Sequence, residues 1–523
     1  MPKLAILGGD LIRTKDFPNR KSMGQSEVDA ATRVIKSDVL SGFIGAAGKY
    51  FNGGKEVIGF ERLWAETYGF KHAISVNSWT SGLQVATGAI GIEPGDEVIC
   101  SPYSMSASAT VAFMYGGIPL FADLETDTYG IDPKSIEKLI TPRTKAIMVV
   151  HIFGYPSNMD AIMKIAYKYN LRVIEDAAQA PGVYYKGKAV GTIGDIGGFS
   201  LNFHKHIHTG EGGLLVTNND DIALRSQLIR NHGENATEAY GVKDISNTIG
   251  GNYRYTELQA AIAIEQFKKL QSLLDHRKEV GSYLSDRLRN IDGLKIQEIE
   301  KGCTHSYYMY PIRFDKEVFG VSRNLFLRAV SAELPKPKYW DTTPLSEGYV
   351  KPLYLNPIYQ KQIAIGKKGF PFTFNKDVKY DYSKGICPVT EKLYEEELLL
   401  SPLVREGMKK EDINDSIEIN NVTNIKNLEK KFNIKFDTLI VDCEGALPQI
   451  MEDNPELYNQ INMIIIEYDW YINDCTKWRN KMLKNHNFKS LFSLPLHWNP
   501  CKGKGAFNNE NKIIGHEVLI KNK

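Results

Sequence analysis

Lys205 stands in GGFSLNFHKHIHTGEGGLLVTNND (Gly197–Asp220), after a strand-like Phe-Ser segment and before a glycine-rich turn. An amine so placed can form a Schiff base with an aldehyde, provided that it loses its proton readily. Upstream lies VIEDAAQAPG (Val173–Gly182), where Glu175 and Asp176 close a β-branched strand. In open α/β sheets ligands bind at that end of the strands. A buried carboxylate needs a cationic partner, and a pyridinium nitrogen is one. A third signal is the turn Asn77-Ser78-Trp79-Thr80-Ser81-Gly82, between a strand and a helix. Such a turn offers backbone N–H groups and a positive helix end to a phosphate. Aldehyde, pyridinium and phosphate are together the polar features of pyridoxal 5′-phosphate (PLP). Each signal alone has a plainer explanation: a surface lysine, an aspartate capping the next helix, a serine N-cap. In this order along one chain they reinforce one another.

The flanking elements must bring these groups together. Helices are expected from Ser26 to about Ser37, with Ser26 as N-cap, over Val57–Tyr68, over Leu83–Gly91 and over Asn158–Tyr169. Strands are expected at His72–Val76, Glu97–Cys100, Ile118–Ala122, Ala146–Val150 and Arg172–Ile174. Alternating units of this kind imply an α/β fold with a mostly parallel sheet covered on both faces. A long helical pattern then runs over Tyr255–Asn290, and residues 300–415 read as a smaller α+β lobe rich in proline. Near Ile413 the composition shifts to Asn, Ile and Lys, so residues 416–523 read as a separate segment.

With 523 residues and 24% charged positions, the chain has the composition of a globular protein of two or three units. A formal net charge of +2 argues against nucleic acid or a membrane surface as partner. Six scattered cysteines without a CxxC pair suggest neither a disulfide framework nor a zinc site, so a reducing, cytoplasmic setting is expected. The start MPKLAILGGD lacks the pattern of a signal peptide, and the apolar runs are too short to span a bilayer. Strand alternation would put His204, His206 and His208 on one face, as a metal site requires, but no carboxylate lies at ligand spacing and no metal is expected.

From Ile12 to Asp412 the chain resembles the DegT/DnrJ/EryC1/StrS family of PLP-dependent sugar aminotransferases. The pieces that carry the resemblance are GGKEVIGFE, VNSWTSGL, GIEPGDEVICSPYSMSASATVAF, EDAAQAPG, GDIGGFSLNFHKHIHTGEGG and GNYRYTELQAAIAIEQ. The resemblance implies aminotransferase fold type I. An N-terminal arm and a large domain with a seven-stranded-type sheet would occupy residues 1–280, and a small domain residues 281–415. It implies Lys205 as the Schiff-base lysine and Asp176 as partner of the ring nitrogen. Gln179 matches the contact to the ring hydroxyl, and Thr80, Ser81 and Ser200 match the phosphate cradle. Met105 stands where an aromatic ring usually covers the cofactor face, and a thioether can pack there. Trp79 replaces a residue that is often glycine. Asn252 matches a residue that reaches the phosphate of a neighbouring subunit, which implies a homodimer with shared sites. Arg254 and His206 are candidates for substrate contact. The implied reaction moves an amino group from L-glutamate to a keto group of a nucleotide-linked sugar, first of all a 4-keto-6-deoxy sugar, for amino-sugar and surface-glycan biosynthesis. Relatives with histidine at the lysine position dehydrate instead, so lysine favours amino transfer. The alternatives are a PLP-dependent sugar dehydratase and a non-catalytic, sugar-binding PLP fold.

The C-terminal segment, with FDTLIVDCEGALPQIMEDNP and INMIIIEYDW, resembles the carboxyl half of FkbM-type methyltransferases through Asp442, Glu444 and Gly445. No glycine-rich loop for S-adenosylmethionine lies between Ile413 and Phe436. A remnant, or a docking module, is the expectation.

Overall fold

The computed structural model describes residues 3–338 and 343–410 in full and, beyond them, the backbone of four strands. Two compact units divide the chain, Met1–Val422 and Thr423–Lys523. In the first, strands β1 (His72–Val76), β2 (Glu97–Cys100), β3 (Ile118–Phe121), β4 (Thr144–Val150) and β5 (Arg172–Asp176) are followed by a short hairpin, β6 (Tyr184–Tyr185) and β7 (Lys188–Ala189). Then come β8 (Ile196–Ser200) and β9 (Gly213–Thr217). Seven of these form one sheet in the order β1-β9-β8-β5-β4-β2-β3. All neighbours from β8 to β3 are parallel, and β9 alone runs antiparallel to both its partners.

Why these strands are nearly all apolar follows from their position. Side chains alternate between the two faces of a strand, and both faces here are covered. Val173 packs with Ile99, Ile147 and Val216 on one face. Its successor Ile174 packs with Cys100, Met148 and Leu215 on the other. The covering helices are α1 (Gln25–Lys36), α2 (Lys55–Tyr68), α3 (Trp79–Ala89), α4 (Ala107–Thr110), α5 (Pro133–Leu139), α6 (Met159–Tyr169), α7 (Asp220–Arg230) and α8 (Glu257–Leu288). Helix α2 presents Phe60 and Trp64 to the first face, where the Trp64 ring lies 4.7 Å from Phe267 of α8 and 5.0 Å from Phe199 of β8. Helix α3 covers the second face with Leu83, Val85 and Ala86.

One expectation changes at the helices. The N-cap of α1 is Gly24, not Ser26: the Glu27 carboxylate reaches back to accept from the Gly24 N–H at 2.8 Å. An acidic residue at the third position closes the first turn better than a serine already inside it. Helix α8 runs through residue 280, as the pattern over Tyr255–Asn290 predicts, and Val280 and Gly281 continue its buried stripe. Beyond it β10 (Leu294–Ile296), β11 (Tyr310–Phe314), β12 (Ser346–Glu347) and β13 (Leu398–Ser401) form an antiparallel sheet in the order β10-β11-β13-β12.

In the second unit β14 (Thr438–Asp442), β15 (Met463–Tyr471), β16 (Phe488–Pro495) and β17 (Lys512–Lys521) lie in the order β14-β15-β17-β16. The first pair is parallel and the others antiparallel. Asp442 ends β14, while Glu444 and Gly445 lie outside the described residues. Among the described residues no helix is long and apolar enough to cross a membrane.

Candidate active site

Two antiparallel steps through β9 leave β1 parallel to β8, so the carboxyl ends of β1, β2, β4, β5 and β8 share one edge of the sheet. The turns leaving that edge carry Ser78 and Trp79, Ser104 and Ser108, His151, Asp176 and Gln179, and Ser200 and Lys205. The sheet alone therefore gathers the lysine, the aspartate and the serine turn, although they are far apart in sequence.

Strand alternation separates the acidic pair at the end of β5. Glu175 faces one side, fully buried, and accepts from His151 Nε2 at 2.9 Å and from the N–H groups of Gly191 at 2.8 Å and Gly194 at 2.7 Å. His151 Nδ1 accepts from the Ser157 N–H at 3.1 Å, which fixes the ring proton on Nε2. Glu175 is thus a structural anion. Asp176 turns to the other side, 4% exposed. Its Oδ1 accepts from Trp79 Nε1 at 2.7 Å and from the Ala178 N–H at 3.2 Å, and its Oδ2 accepts from Ser108 Oγ at 2.7 Å. All three donors are neutral. Among the described residues Asp176 has no ion pair, an unusual state for a buried carboxylate.

Lys205 is the matching cation. It is 7% exposed and makes no ion pair among the described residues. Its Nζ lies 4.3 Å from the centroid of the Tyr308 ring. Burial pushes the ammonium below its ordinary value, against the opposing pull of Tyr349 and Asp176. An amine that sheds its proton more easily than a surface lysine is a better nucleophile. The loop that carries it is braced from outside: Arg20 donates to the carbonyls of Phe203 and His206, both at 3.2 Å, and stands 3.6 Å from Glu406.

The remaining expected residues divide into groups. Ser78 caps α3, accepting from the Ser81 N–H at 3.0 Å, and the two hydroxyls lie 2.9 Å apart. Thr80 is exposed at the same helix end, and Ser200 closes β8. Gln179 is pinned, its Oε1 accepting from the Phe153 N–H at 2.6 Å and its Nε2 donating to Tyr349 Oη at 3.0 Å. Asn252 and Arg254 join each other at 2.8 Å, and the backbone there is tied to Asn77 by two hydrogen bonds of 2.9 and 3.1 Å, next to the serine turn. Met105 is 60% exposed.

His206 is placed otherwise than expected for substrate contact. It is fully buried, and its Nε2 donates to the Ser306 carbonyl at 2.8 Å. It buttresses the lysine loop. Nor do the three histidines share a strand face: residues 201–212 form turns rather than a strand. The chain must reverse there to bring β9 antiparallel to β8, so no strand alternation applies. Burial pushes His204 and His208 down to about 4, which keeps both neutral near pH 7. Ser108, Tyr308 and Tyr349 escaped the sequence. Ser108 sits in the quoted YSMSASAT stretch and could have been found there, whereas Tyr308 and Tyr349 come from the small lobe with no local signal.

The profile of the DegT/DnrJ/EryC1/StrS aminotransferase family matches residues 43–419. The chain belongs to this family. Spore coat polysaccharide biosynthesis protein SpsC of Bacillus subtilis is 33% identical over 363 residues, 68% of this chain and 87% of SpsC. GDP-perosamine synthase of Caulobacter vibrioides is 39% identical over 262 residues, 50% of this chain and 69% of that enzyme. Among solved structures, NtdA from Bacillus subtilis with bound cofactor PMP is similar with a TM-score of 0.58 and 25% identity, covering 75% of this chain and 80% of that one. The architecture is that of the PLP-dependent aminotransferases, and the family's members include sugar aminotransferases.

The residues present fit PLP. A buried amine and a buried carboxylate, neither with an ion partner among the described residues, lie at one sheet edge beside the capped start of α3. An aldehyde and a protonated pyridine would complete both.

Proposed function

We propose that the chain is a PLP-dependent aminotransferase that moves an amino group from L-glutamate to a keto group of a nucleotide-linked sugar, a 4-keto-6-deoxy sugar in the first place. The observation that carries this is the pairing of Lys205 and Asp176, both buried and both free of ion pairs among the described residues. Membership of an aminotransferase family and the likeness to GDP-perosamine synthase support amino transfer on a sugar nucleotide.

When bound, PLP supplies an electron sink for the carbon that loses its proton. Lys205 Nζ is the covalent anchor and, once released, the group that carries a proton between the reacting carbons. Its lowered proton affinity suits both tasks. Asp176 would hold the ring nitrogen protonated, and Gln179 would meet the ring hydroxyl. Thr80, Ser81, Ser200 and the start of α3 receive the phosphate. Met105 would pack on the cofactor face, and Arg254 would serve an anionic group of the substrate. Asn252 reaches the phosphate site of a second copy, so the working unit is a homodimer.

The test is incubation of purified protein with PLP, L-glutamate and a panel of keto nucleotide sugars, followed by product mass. The expected product is an amino sugar, with 2-oxoglutarate formed in equal amount. A dehydrated sugar, or PLP binding without any product across the panel, overturns the proposal.

A further inference from the structure

Trp79 contributes a contact that the general chemistry of the site does not require. Its indole is 5% exposed and lies at the first position of α3. The space it fills exists because two neighbours are glycines. A Cβ on Gly82 would come within 2.5 Å of the ring, and one on Gly198 within 2.3 Å. Gly198 stands directly opposite Asp176 in the β5–β8 register. The niche therefore sets the indole against the carboxylate, and Nε1 donates to Oδ1 at 2.7 Å.

The acceptor count of Asp176 gives this contact its meaning. A carboxylate offers about four lone-pair sites. On Oδ1, Trp79 Nε1 and the Ala178 N–H take two. On Oδ2, Ser108 Oγ takes one, and Ser108 is itself held at 2.8 Å by Ser104 Oγ. One site is left, on Oδ2. Trp79 and Ser108 grip opposite oxygens, so the carboxylate cannot rotate about its Cβ–Cγ bond without losing a buried hydrogen bond.

We propose that Trp79 is a positioning residue, whose indole N–H locks the Asp176 carboxylate so that the open site on Oδ2 faces the ring nitrogen of PLP. The inference rests on the cofactor reading above and deepens it. Without the N–H the carboxylate turns, and the ring nitrogen loses its acceptor. A hydrogen bond to a charged group is worth enough to change binding by about tenfold or more.

The test compares the parent protein with Trp79→Phe and with a variant carrying benzothienylalanine at position 79, which keeps the bicyclic shape and lacks the N–H. Each is loaded with PLP labelled with ¹⁵N in the ring, and the ring-nitrogen shift and the dissociation constant are measured. Both variants are expected to bind about tenfold more weakly, with the ¹⁵N signal moved toward the unprotonated position. A Lys205→Ala control reports separately on the cofactor reading by loss of the visible band. A parent with a Lys205-dependent band, together with variants whose ¹⁵N shift equals the parent's, overturns the role of Trp79 alone. A parent with no visible band overturns the cofactor reading and this inference with it. Should Trp79→Phe fail to fold, the near-isosteric variant decides.

Discussion

Lys205 is an ammonium in a place that disfavours charge, and a residue in that state acts on stability as well as on chemistry. Its proton affinity is lowered in the folded protein and ordinary in the unfolded one. Between the two values the unfolded chain binds more protons, so stability rises with pH through that window. Below it both states are charged and the folded one bears the full desolvation penalty. Lys205→Met is therefore expected to raise the melting temperature of the cofactor-free protein at neutral pH. The gain should shrink to nothing as pH passes the ordinary lysine value of 10.5, and thermal melts across pH check it. A lysine that kept an undisturbed proton would show no such convergence. At this scale the sequence was legible where chemistry is local. Lys205, Asp176 and Gln179 lie in two short motifs whose residue types announce them. Trp79 and Asp176 were each visible, but not their contact, since no spacing rule joins a helix start to the end of another strand. The shared face of the three histidines fails because a turn and a strand can carry the same polar, alternating letters.

Elements were read more securely than the contacts between them. The strand His72–Val76 has the bounds that alternation suggests, and α2 stops at Gly69, which adopts a left-handed φ of 72°. Helix α3 starts earlier than its apolar pattern implies, because Trp79 and Thr80 are placed by the Ser78 cap rather than by periodicity. That cap holds the end expected to meet the phosphate. Ser78→Ala should cost about 1 kcal/mol of stability. It should also weaken PLP binding more than it lowers the melting temperature, because the freed Ser81 N–H loses its alignment. Calorimetric melts and a PLP titration of one protein sample separate the two effects. Equal affinity for parent and variant would remove the cap from the site. By residue type Gly197 and Gly198 of β8 are weak strand formers. They are needed there, since a Cβ on Gly197 would meet the Glu175 carbonyl at 2.7 Å.

At the scale of the molecule, the proposed sharing of sites between two subunits makes a prediction that single-chain variants cannot. Asn252→Ala and Lys205→Ala homodimers should each be inactive or nearly so. Mixed and re-annealed, they should regain roughly a quarter of the parent activity, because half the dimers are hybrids with one intact site of two. Activity that stays absent after exchange, with hybrids present by mass, would place Asn252 outside the partner's site. The composition shifts near Ile413, and the two compact units divide between Val422 and Thr423. The meeting of Arg20 with the lysine loop and Glu406 was not legible in the sequence, since it joins distant parts of the first unit. That meeting has a temporal side. Arg20 can reach the lysine-loop carbonyls as soon as residues 203–206 have been made, but its 3.6 Å contact with Glu406 can form only once nearly all of the first unit has been synthesised, so the ion pair behind the brace is the last part of it to close.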